Sequence, residues 1–92
     1  MRIVGDISHP HLKITIFKND GLFSVKCESG MIEQFFKLRD DVRLQSPEDI
    51  KKMFDADFIK KIEESLKNLQ KERESAYFRH FGLADEGFPE LI

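Results

Sequence analysis

The sequence predicts an α+β domain: an antiparallel three- or four-stranded meander followed by two helices packed on one face. Three observations carry this. The first half alternates apolar and polar residues with period 2, the pattern of half-buried strands. Asn19-Asp20-Gly21 and Ser29-Gly30 cut that half into short segments, and short turns force neighbouring strands antiparallel. After Ser46 the apolar spacing changes to the i, i+3, i+4 of amphipathic helices. A single domain is expected over residues 1–81, with an acidic C-terminal tail over 82–92.

In chain order, MRIVGDI supplies a short fourth strand, weakened by Gly5. In HLKITIFK, Leu12, Ile14 and Ile16 share one face, and Lys13, Thr15 and Phe17 the other. Asp20-Gly21 then suits a hairpin, because Gly accepts positive φ and Asp tolerates it. In LFSVKCE, Phe23, Val25 and Cys27 oppose Ser24, Lys26 and Glu28. In MIEQFFKLR, Ile32, Phe36 and Leu38 point inward, interrupted by Gln34, while Glu33, Phe35 and Lys37 point outward. Ser46-Pro47-Glu48-Asp49 starts a helix: Ser46 caps, Pro47 suits the first helical position, and the acids favour the positive helix end. Asp55 can cap a second helix, with Phe54 and Ile59 placed as a hydrophobic staple, and the spacing equally allows the first helix to run on through it. Phe58, Ile59, Ile62, Leu66, Leu69, Ala76 and Tyr77 form its stripe. Gly82 is placed as its C-cap, with Leu83 as the apolar partner and Phe88 as a further anchor of the tail.

The 92 residues are enough for one domain near the lower part of the usual range of roughly 100–150. Residues 1–45 hold seven bases and six acids, and residues 46–81 eight of each, so the net −2 comes from the tail. That balance argues against a strongly electrostatic nucleic-acid binder. One cysteine excludes an intrachain disulfide and a cysteine-only zinc cage. No apolar run approaches the roughly 20 residues of a membrane helix, so no membrane partner is expected. The opening segment lacks the apolar core of a signal peptide, and a reduced Cys27 in the cytoplasm is the expectation.

The order GDISHPHLKITIF at residues 5–17 and EQFFKLR at 33–39 resembles a group of small uncharacterised bacterial proteins. The resemblance covers about the first forty residues. It implies a strand meander followed by helices and a one-domain bacterial cytoplasmic protein. It carries over no activity and no site.

Few constellations suggest chemistry. His9-Pro10-His11 could turn two imidazoles toward one ligand, with Cys27 or Asp6 joining. No second ligand pair exists, and Pro10 reads as a turn residue, so no metal site is expected. His80 suits the negative end of a helix. The acid pairs Asp40-Asp41, Asp55 with Asp57, and Glu63-Glu64 lack any sign of the burial that a general acid needs. Phosphate-loop and nucleophile-elbow motifs are absent. No catalytic residue and no cofactor are expected, and the chain reads as a non-enzyme.

The surplus aromatics are more informative. Phe17 and Phe35 face away from the helix-covered side of the sheet. Phe78 lies about 160° from Ile62 around a regular helix. Tyr77 and Phe81 flank it. Contiguous exposed rings mark interaction surfaces. The candidate surface is therefore Phe17, Phe35, Tyr77, Phe78 and Phe81. The expected function is that of a small protein-interaction module that binds another protein or itself, as a homodimer. The alternative is a nucleic-acid-binding accessory protein using Lys13, Lys26 and Lys37 with Phe17 and Phe35 on the outer sheet face.

Overall fold

The computed structural model describes residues 1–82. Four strands, β1 (Arg2–Ile7), β2 (Lys13–Asn19), β3 (Leu22–Ser29) and β4 (Ile32–Lys37), precede two helices, α1 (Pro47–Met53) and α2 (Ala56–Phe81). The sheet is a fully antiparallel meander in the order β1-β2-β3-β4. The fourth strand forms, and Leu83 and Phe88 lie outside the described residues, as does the tail beyond Gly82.

The turns set the register. Asp20 and Gly21 both have positive φ, 53° and 82°, as a two-residue type I′ hairpin between Asn19 and Leu22 requires. In the β3–β4 turn, Gly30 alone has positive φ, 59°, at the first central position between Ser29 and Ile32. With these turns fixed, Ile16 pairs with Val25, Val25 with Phe36, and Cys27 with Gln34. Leu12, Ile14, Ile16, Phe23, Val25, Cys27 and Phe36 therefore fall on one face, and the ladder runs on through the Leu38 amide, which donates to the Phe23 carbonyl at 3.0 Å. β1 departs from strict alternation. Its register shifts between Ile3 and Gly5, leaving Val4 as the extra residue of a bulge. Val4 and Ile7 pack on the core, while Ile3 pairs with Phe17 and is turned to solvent.

Helix capping follows the sequence. The Asp49 amide donates to Ser46 Oγ at 3.3 Å, and the Ser46 amide donates back to Asp49 Oδ2 at 3.2 Å, closing a capping box at α1. The Phe58 amide donates to Asp55 Oδ1 at 2.9 Å at the start of α2. The chain breaks between the helices at Phe54, which drops into the core together with Ile50.

One core holds the domain. Leu12, Ile14, Ile16, Phe23, Val25 and Cys27 from the sheet meet Ile50, Phe54, Ile59, Ile62 and Leu66 from the helical half. Phe54 stacks 4.7 Å from Phe58 and 5.6 Å from Phe36, centroid to centroid. Each such apolar side chain contributes on the order of 1.5–3 kcal/mol when fully buried. α1 lies against β1, and α2 against β3 and β4. All of this occurs on one side of the sheet, so the other side carries no helix among the described residues.

α2 is longer than the sheet beneath it. Its 26 residues extend about 39 Å, whereas the longest strand, β3 with 8 residues, extends about 27 Å. Gln70 packs over the Gly30 turn at the end of the sheet. Beyond that point the helix projects, and the principal extents are 50 × 27 × 20 Å. Leu69, expected in the buried stripe, is exposed, because Gln70 rather than Leu69 takes the sheet-facing position one turn after Leu66. No helix among the described residues is long and apolar enough to cross a membrane.

Candidate functional site on the outer sheet face

The helix-free face can be read row by row from the register. Lys13, Glu28 and Glu33 form the row beside the β3–β4 turn. Asp6, Thr15, Lys26 and Phe35 form the middle row. Ile3, Phe17, Ser24 and Lys37 form the row toward the opposite end. Alternation along strands buried on their other face puts these residues here, and a one-residue slip would send the core into solvent.

An apolar patch runs diagonally across this face. The Phe17 and Phe35 rings lie 6.0 Å apart, and Ile3 sits beside Phe17 across the β1–β2 pair. Ile3 is 68% exposed and Phe35 37%, while Phe17 is half-buried. Lys26 Nζ lies over the Phe17 ring, 5.6 Å from its centroid, and 3.1 Å from Glu28 Oε2. The aliphatic stem of Lys26 thus covers part of the patch while its charge is held at the edge. Thr15, at the centre, is buried under these neighbours. Three bases and three acids share the face, so its formal charge is zero.

The other expected surface residues lie elsewhere. Tyr77, Phe78 and Phe81 belong to the projecting end of α2, which packs through Ile59, Ile62 and Leu66 on the opposite side of the sheet. The Tyr77 and Phe81 rings lie 5.9 Å apart, with Arg73 over Tyr77 at 4.9 Å. α2 remains regular to Phe81, so Phe78 stays off the buried stripe and is 54% exposed. The structure therefore divides the five residues into a sheet cluster and a helix-end cluster. Ile3 joins the first cluster and was missed in the sequence because the bulge reverses its face. The adjacent apolar pair Ile3-Val4 before a glycine is the signal for it.

The remaining motifs are used structurally. The amides of His11 and Leu12 both donate to His9 Nδ1 at 3.1 Å, which places the ring proton on Nε2. His9 Nε2 lies 3.8 Å from Glu63 Oε1, so the β1–β2 connection sits beside α2. Among the described residues no three His, Cys, Asp or Glu side chains converge as a metal site. Burial pushes the Cys27 thiol up to about 11. The acid pairs are split among separate tasks. The Arg43 guanidinium and amide beside Asp41 hold its carboxyl well below the usual carboxylate range. Asp55 caps α2, Asp57 meets Lys61 at 3.3 Å, and Glu63 meets Lys67 at 3.9 Å as well as His9.

No family model, curated protein or solved structure matches the chain. The functional reading therefore stands on the geometry of this face.

Proposed function

We propose that this chain is a small, non-enzymatic, cytoplasmic protein-interaction module acting through its outer sheet face. The contiguous Ile3–Phe17–Phe35 patch on a sheet side without a helix carries the reading. A patch of aromatic and aliphatic groups, rimmed by charges of both signs, is the composition of a protein interface rather than of a phosphate-binding surface. The nucleic-acid alternative requires Lys13, Lys26 and Lys37 to act together, but Asp6, Glu28 and Glu33 neutralise the face and Glu28 already holds Lys26.

The test is recovery of the cellular partner by the full chain and by three variants. Phe35→Ala and Phe17→Ala are expected to weaken capture by about 2 kcal/mol or more, the scale of interface hot spots. Phe78→Ala should leave it unchanged. Loss with Phe78→Ala and none with Phe35→Ala would move the surface to the end of α2. A steep fall of binding with salt would instead favour the nucleic-acid reading, because neutralised phosphates release counterions.

A further inference from the structure

We infer that the outer face packs against the same face of a second copy of this chain, about a two-fold axis parallel to the strands. This rests on the outer face being the interaction surface and names its partner. Sheets that pack face to face keep their strands aligned to within about 30°. A symmetric pair then has two choices of in-plane axis, across the strands or along them.

The charges separate the two. An axis across the strands places each strand over its own copy and reverses its ends. The middle row then meets itself, with Lys26 over Lys26 and Asp6 over Asp6 of the second copy. Like charges face each other at the centre, where desolvation is greatest. An axis along the strands, between β2 and β3, lays β2 over β3 and β1 over β4. Lys13 then meets Glu28 of the second copy, twice by symmetry, and Lys26 meets the neutral Thr15. Phe35 is carried over Asp6 of the second copy and Lys37 over its Ile3, so the two apolar patches meet on the diagonal between Phe35 and Ile3. The axis across the strands also brings Glu33 over Lys37 and Phe35 over Phe35, but only the axis along the strands opposes no like charges.

Area sets the strength. Four strands about 4.8 Å apart and roughly seven residues long present a footprint near 400 Å². A standard stable interface buries about 800 Å² per partner. The pair is therefore a reversible, concentration-dependent dimer.

The experiment is sedimentation of the full chain over a wide concentration range, with Lys13→Glu and Glu28→Lys studied alone and mixed. Alone, each variant faces like charge with like charge at both symmetric contacts, and its dimerisation should weaken about tenfold or more. In an equimolar mixture the new carboxylate at position 13 meets the new ammonium at position 28, while the native Glu28 and Lys13 meet at the other contact. The mixed dimer should form about as tightly as the wild-type one. A wild-type chain that stays monomeric, or a mixture no tighter than its components, overturns the two-fold pairing. Partner capture that still depends on Phe35 would then leave the outer face as an interaction surface for a different protein. Loss of both would overturn the two readings together.

Discussion

At the scale of single residues, the Cys27 thiol is sealed between the sheet and the helices opposite Ile14, and its neutral form is the one the fold accommodates. Burial raises it from 9.0 to about 11. Below pH 9 the thiol is protonated whether the chain is folded or not. Above it the unfolded chain ionises first, so stability falls as pH rises, by up to about 3 kcal/mol once pH 11 is passed. Urea unfolding at about pH 8 and about pH 10.5 should show a steeper alkaline loss in the wild type than in Cys27→Ala. Equal losses would mean that the thiol ionises freely in the fold. His9 makes a second case. Its Nδ1 accepts two amides and its Nε2 faces Glu63, so His9→Ala should cost about 1–2 kcal/mol. His9→Asn can restore the acceptor and should recover part of that loss, since Asn side chains stabilise such turns. The sequence revealed the turn through Pro10. It did not reveal the imidazole as acceptor, because nothing in local spacing shows which backbone amides lack partners.

Among the elements, legibility followed how local the cause was. β2, β3 and β4 could be read because alternation and two short turns act within a few residues. β1 was harder because Gly5 lies beside a bulge, and the bulge answers to pairing with β2 and to α1 above it. The face bearing Phe17 and Phe35 was legible for the same reason as β2 and β4, and Ile3 was lost with the bulge. For α2 the periodicity identified the face but not its support. A stripe from Phe58 to Tyr77 has the same spacing whether a sheet lies beneath it or ends at Gly30. The consequence is a helix of two parts. Ile59, Ile62 and Leu66 are locked to the core, whereas Leu69 and Phe78 are exposed. Amides around Ile62–Leu66 should exchange through near-global unfolding, and those from Arg73 onward at least tenfold faster through local fraying. Hydrogen exchange by residue is the measurement. Uniform protection to Phe81 would show that the helix end is supported.

For the molecule as a whole, the decisive property is that, among the described residues, one side of one sheet holds the entire core, and the other side is the one proposed for contact. The division assigns the eight described phenylalanines different costs, although composition treats them alike. Phe54 is 2% exposed and packs against Phe36 and Phe58, at the point where both helices meet the sheet. Phe54→Ala should cost about 3–5 kcal/mol, the usual result of a cavity in a packed core. Domains have only about 5–15 kcal/mol of stability in total, and a small one has the less to lose. This variant should therefore be largely or partly unfolded near room temperature, with the sheet and both helices lost in one transition. Phe78→Ala removes a ring from the far side of α2 and should change stability by no more than about 0.5 kcal/mol. Phe35→Ala should fall nearer the second value than the first, because its ring rests on Phe17 and not on the core. Urea denaturation of the three variants, followed by circular dichroism, orders them. If Phe35→Ala proved as costly as Phe54→Ala, the outer face would be a second core, and the interaction surface would have to be sought on α2.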